Sequence, residues 1–167
     1  TASWRRIDET MMPPRVKLSA GYVNSILAKT EATLGGFDEA IMLTQDGNVS
    51  EGSGENLFLV QDGVLHTPMV AHNNLTGITR DCAMRLAKDE LGLEVVEREI
   101  RRSELYLADE VFLTGTAAHI TPVGELDSRP IGDGGVGPVT KSLRDLYVDI
   151  IRGDNPKYID WCTEIPL

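Results

Sequence analysis

The sequence predicts a mixed α/β (α+β) domain, on three observations. Helical repeats and strand-like runs follow one another irregularly along the 167 residues. Short turn signals join neighbouring strands as hairpins, and crossover-like helices lie beside them. A doubly wound sheet would require regular strand–helix alternation, which this chain lacks.

Taken in order, Ala2-Ser3-Trp4-Arg5-Arg6-Ile7 reads as a strand already under way, and Pro13-Pro14 closes it off by biasing the backbone to extended geometry. Lys17 follows among small residues, just before a helix. Val23, Ile26, Leu27 and Thr30 recur at helical steps there, Gly35-Gly36 ends the pattern, and the segment is expected to pack on the core. Residues 39–44 read as a strand and Gln45-Asp46-Gly47 as a turn. Asn48-Val49-Ser50 leads into Glu51-Gly52-Ser53-Gly54-Glu55, where two glycines around Ser53 permit a sharp bend. Residues 57–60 and 64–67 form strands joined by Gln61-Asp62-Gly63, a strong hairpin signal.

A loop over 68–74 gives way at Leu75-Thr76-Gly77-Ile78-Thr79-Arg80 to a helix reaching about residue 91, with Gly92 beyond it. Residues 93–100 alternate as a strand, and 103–108 read as a short helix capped by Ser103. Residues 110–114 form a buried strand ending in Gly115-Thr116-Ala117-Ala118, residues 119–125 another, and Asp127-Ser128-Arg129-Pro130 a turn. Pro138 opens the last helix, whose apolar face is Leu143, Leu146, Tyr147, Ile150 and Ile151, with Gly153 as its stop. Tyr158 and Trp161 in the tail are expected to pack back on the body.

A formal charge of −10 argues against nucleic-acid or anionic-membrane partners. No apolar run approaches the length of a bilayer span. Cys82 and Cys162 lie far apart and His66, His72 and His119 are scattered, so no metal-ligand spacing exists. Two isolated thiols point to a reducing compartment, the cytoplasm.

Three stretches carry chemistry. The paired carboxylates Glu51 and Glu55 fall in a sheltered bend and call for a cationic or protonated partner; the plainer reading is an acidic hairpin loop in water. Lys17 is a surface lysine, an ion-pair partner for Glu51 or Glu55, or a reactive amine. Gly77 before a helix leaves N–H groups of Ile78 and Thr79 free to seat a phosphate, although Thr79 also suits an ordinary N-cap. The Gly115–Ala118 stretch offers a second anion seat, or a tight turn chosen for packing. An amine, a carboxylate and two anion seats are what a pyridoxal 5′-phosphate enzyme needs.

With these motifs assembled, the chain resembles the branched-chain aminotransferases of the class IV, fold type IV group, from about Lys17 to its end. The resemblance rests on Lys17 with Gly21-Tyr22, the Glu51-to-Phe58 run and Leu75-Thr76-Gly77-Ile78-Thr79-Arg80. Glu104-Leu105-Tyr106-Leu107-Ala108-Asp109-Glu110, Gly115-Thr116-Ala117-Ala118 and Gly137-Pro138-Val139-Thr140 complete it. It implies a pseudo-barrel large domain, bound pyridoxal 5′-phosphate, and amino transfer from leucine, isoleucine or valine to 2-oxoglutarate in a homodimer. Lys17 would be the catalytic Schiff-base lysine, Glu51 would face the pyridine nitrogen, Tyr22 the phenolic oxygen and substrate, and Leu75 the ring. Gly77, Ile78, Thr79 and Thr116 would hold the phosphate, Ala117 and Ala118 the substrate carboxylate, with Glu55 and Asn56 in support.

The family's small N-terminal domain, with its phosphate-binding arginine, has no counterpart in these residues, so the chain reads as the large C-terminal domain alone. Gly21 stands where several members have Asn, and His119 follows the alanines where other residues are common. A D-amino-acid aminotransferase or aminodeoxychorismate lyase of the same fold is the sibling alternative, and a non-catalytic assembly module the distant one.

Overall fold

The computed structural model describes residues 1–163 and 165. Its centre is a five-stranded mixed sheet in the order β5-β4-β3-β6-β7. The strands are β3 (Asn56–Gln61), β4 (Val64–Pro68), β5 (Val95–Arg98), β6 (Glu110–Gly115) and β7 (His119–Pro122). Neighbours are antiparallel except β4 and β5, which are joined through helix α2 (Ile78–Asp89) and run parallel. The mixed α/β class expected from the sequence is therefore the one observed.

Strand β3 carries the core in both directions because successive side chains point to opposite faces. Phe58 stacks on Phe112 across the β3–β6 pair, with centroids 4.9 Å apart. On that face they join Ala83, Leu86 and Ala87 of α2 and Leu143 and Ile150 of α4 (Pro138–Ile151). Leu57 and Leu59 face the other way, against Val111 and Leu113, Ile100, Leu105 and the hairpin of β1 (Ile41–Leu43) and β2 (Val49–Gly52). The β3–β4 turn has Asp62 and Gly63 both at positive φ (51° and 76°), the two-residue hairpin that Asp-Gly predicts.

Several elements depart from the sequence expectation. Residues 2–7 form no strand: Ala2 N–H and Arg6 N–H donate to the Ile41 and Leu43 carbonyls, leaving one isolated parallel bridge at Arg5. Helix α1 (Tyr22–Leu34) exists, but its large apolar residues do not face the core. Ser25 and Ala28 are buried, Ala28 and Ala32 packing on Ala2, Ala40 and Met42, while Val23 and Ile26 stay 60% exposed. Small side chains let the helix approach closely, and the bulky ones turn outward. Helix α3 (Arg102–Leu105) is capped at Arg101, whose N–H donates to Glu104, so Ser103 is not its cap. The expected 119–125 strand breaks after Pro122, and β8 (Glu125–Leu126) pairs instead with β9 (Arg129–Pro130) around Asp127 and Ser128, both left-handed. The tail packs as expected: Tyr158 is buried and stacks edge-on against Trp161.

Candidate active site

Glu51 lies on β2 opposite Met42, not in the bend, which falls at residues 53–55. It is 4% exposed, and so enclosed a carboxylate requires a counter-charge. The opening segment supplies it: Arg6 Nη2 stands 2.8 Å from Glu51 Oε1. Arg6 is itself fixed, Nη1 donating to Ser25 Oγ at 3.1 Å and Nε to the Asn73 carbonyl at 3.3 Å. Glu51 Oε2 accepts from Leu75 N–H at 3.0 Å and from Asn56 Nδ2 at 3.1 Å. Burial pushes the Glu51 carboxyl above its ordinary value; the Arg6 guanidinium and the Leu75 N–H oppose that.

The same bonds fasten Leu75 to the sheet. Asn56 Nδ2 also donates to the Leu75 carbonyl at 2.7 Å, so the loop entering α2 is held at both its N–H and its C=O. Here a close approach demands glycine: a Cβ on Gly77 would stand 2.1 Å from Asn56 Oδ1.

Lys17 ends the turn Pro14–Val16 in the left-handed conformation (φ 55°, ψ 42°). That geometry costs a non-glycine residue on the order of 1–3 kcal/mol and is tolerated where the surroundings impose it. The segment expected to pack on the core does not do so around the lysine: residues 15–20 are exposed, and Lys17 lines the cleft. Lys17 carries no ion pair among the described residues, whereas Lys29, Lys141 and Lys157 do; Glu51 pairs with Arg6 instead. Of the three readings of this lysine, the ion-pair one therefore fails.

One cleft brings Lys17, Tyr22, Glu51, Glu55 and Leu75 together with Arg6. Burial and the neighbouring Glu39 carboxylate push the Glu55 carboxyl up.

The two stretches expected from the sequence to seat anions adjoin this cleft without lining it. Gly77, without a side-chain cap, is the N-cap of α2, and Asp81 N–H is the donor to its carbonyl. The N–H groups of Ile78, Thr79 and Arg80 thus have no acceptor within the helix and sit at its positive end. Thr79 is the second helical residue, which rules out the reading of it as the N-cap. Across the cleft wall, a Cβ on Gly115 would lie 3.4 Å from Glu55 Cγ and 3.5 Å from the Gly54 carbonyl. Thr116 and Ala117 beyond it are exposed and Ala118 half-buried, in a turn that reaches His119 at φ 54°.

The sequence reading missed Arg6 as the partner of Glu51. The demand for a cation was legible from the sheltered carboxylate, but which cation meets it depends on the parallel docking of residues 2–6 beside β1.

Comparisons with known proteins bear on this site. Residues 1–126 match the family model of amino-transferase class IV. The chain is 52% identical to a probable branched-chain-amino-acid aminotransferase of Aquifex aeolicus, over 98% of its own length and 53% of that protein. It is 44% identical to the branched-chain-amino-acid aminotransferase of Escherichia coli K12, over 98% and 53%. Among solved structures, the branched-chain amino acid aminotransferase of Thermobaculum terrenum in its PLP form matches with a TM-score of 0.95 and 46% identity, over 97% of this chain and 53% of that one. The branched-chain aminotransferase of the archaeon Thermoproteus uzoniensis with norvaline matches with a TM-score of 0.93 and 47% identity, over 98% and 54%. The chain spans about half the length of the curated relatives it matches. With its first 126 residues fitted by the family model and its fold following the solved enzymes so closely, this chain belongs to the class IV aminotransferase family.

Proposed function

We propose that this chain is the cofactor-binding large domain of a branched-chain aminotransferase, moving an amino group between leucine, isoleucine or valine and 2-oxoglutarate on pyridoxal 5′-phosphate. The observation that carries the reading is the cleft lined both by an exposed lysine with no ion pair among the described residues and by a buried, arginine-held carboxylate. The donor set fits the cofactor. A primary amine suits its aldehyde, a carboxylate its ring nitrogen, and free helix-start N–H groups its phosphate. The names of the relatives support the choice of branched-chain substrates over the D-amino-acid and lyase alternatives.

When bound, the cofactor supplies an electrophilic carbon and a ring that withdraws electrons from the substrate Cα. Lys17 Nζ would hold the group through that carbon and, once released, would carry the proton from the substrate Cα to that same cofactor carbon. Glu51, kept in place by Arg6, Asn56 and the Leu75 N–H, would hold a proton on the ring nitrogen. Tyr22 would serve the phenolic oxygen and the substrate, and Leu75 would pack on the ring. Gly77, Ile78, Thr79 and Thr116 would bind the phosphate, and the Ala117 and Ala118 N–H groups would bind the substrate carboxylate.

The working form is a cytoplasmic homodimer, with neither nucleic acid nor membrane as partner. Two free cysteines accord with a reducing compartment, and the outward apolar residues of α1 accord with a covered face. Among the described residues, no helix is long and apolar enough to cross a membrane.

Incubation with pyridoxal 5′-phosphate, borohydride reduction and peptide mass spectrometry test the assignment. The expected label is on Lys17, with Lys29, Lys88, Lys141 and Lys157 clear; a label scattered over these lysines or absent from Lys17 overturns it. Sedimentation of the loaded sample reports whether it is a dimer.

A further inference from the structure

Beyond the Gly137-Pro138-Val139-Thr140 motif at its start, helix α4 carries a residue that touches one anion seat and the residue next to the other. Tyr147 Oη is 3.4 Å from Thr79 Oγ1, a contact in which either hydroxyl can donate. The Tyr147 ring also meets the His119 ring edge-on, with centroids 5.9 Å apart and planes at 60°. Thr79 belongs to the start of α2, and His119 follows the Thr116-Ala117-Ala118 turn directly. Thr79 is 5% exposed and Tyr147 half-buried, so the contact is sheltered from competing water.

Helix α4 is positioned to act as a fixed support for this contact. The Glu110 carboxylate on β6 accepts from Val139 N–H at 2.9 Å, Thr140 N–H at 2.7 Å and Thr140 Oγ1 at 2.6 Å. These bonds anchor the helix start to the strand that ends in the second seat. A buried carboxylate at a helix N-terminus meets both the free donors and the dipole there.

We propose that Tyr147 is a positioning residue for the cofactor phosphate: it donates to Thr79 Oγ1, leaving the threonine O–H to the phosphate, and braces the turn that carries Thr116. The inference rests on the proposed cofactor reading and adds a residue that never touches the cofactor. Its signature is selective, because pyridoxal lacks the phosphate but shares the ring and aldehyde.

The test measures dissociation constants of pyridoxal 5′-phosphate and of pyridoxal for wild type and Tyr147→Phe, from the absorbance of the bound chromophore, alongside the melting temperature. Phenylalanine keeps the ring contact with His119 and removes only the hydroxyl. Expected is a loss of about 2- to 10-fold in affinity for the phosphate ester, one hydrogen bond's worth, with pyridoxal unchanged. An unchanged preference for the phosphate ester overturns the proposal, as does an equal loss for both ligands, which marks a merely structural residue. A wild-type chain that captures neither ligand at Lys17 overturns the cofactor reading, and this inference with it.

Discussion

At the scale of single residues, the site is governed by one buried ion pair. Arg6 and Glu51 are both nearly inaccessible, and their attraction offsets only part of the cost of desolvating each. Arg6→Met is expected to cost roughly 3–5 kcal/mol at pH 7, the usual penalty for stranding a buried charge. The pH dependence has a definite sign. Burial raises the Glu51 carboxyl above its unfolded value, so removing Arg6 raises it further. A group raised in the folded state contributes stability fully below its unfolded value, about 4.3 for glutamate, and loses it as pH rises through the folded value. The variant should therefore be least stable near pH 7 and recover toward pH 4. Urea midpoints at both pH values check this, and a deficit that does not shrink on acidification excludes Glu51 as its source. Lys17 and Glu51 were legible in the sequence because their neighbours (a proline pair, a glycine run) are local signals. Arg6 was not, because its role depends on a contact far along the chain.

At the scale of elements, the start of α2 is where the sheet meets the proposed phosphate seat. Gly77 fits against Asn56 only because it lacks a Cβ. Gly77→Ala should displace the helix start or break the Asn56 bonds to Glu51 and Leu75, costing about 1–3 kcal/mol, the usual range for overpacking. Thermal melts measure the loss, and an alanine variant as stable as wild type would show that Asn56 yields freely. Hairpins and long helices were readable from period and turn chemistry, as Asp62-Gly63 and Pro138 illustrate. The orientation of α1 was not. Its apolar period marks a helix correctly, yet close packing through Ala28 and Ala32 overrides the rule that the bulky stripe faces inward. The opening segment failed for a related reason: it runs beside β1 with too few hydrogen bonds to make a ladder.

At the scale of the whole molecule, the cleft is assembled from segments distant in sequence, so its rigidity is that of the sheet behind it. The mixed α/β architecture was legible because its alternations are local, whereas the order of the strands is not, since β6 docks beside β3 only after the α2 crossover and α3 have intervened. Strand β3 is bonded on both edges and buried on both faces; Leu57, Phe58 and Leu59 have no exposed surface. No local opening can reach its amides without parting both cores at once. In deuterated solvent, the protons of Leu57, Phe58 and Leu59 engaged in this ladder should be among the last to be replaced, at a rate set by global unfolding. Those at the ends of α1 should be replaced orders of magnitude sooner, so that Leu57 serves as an isotopic clock for the entire fold.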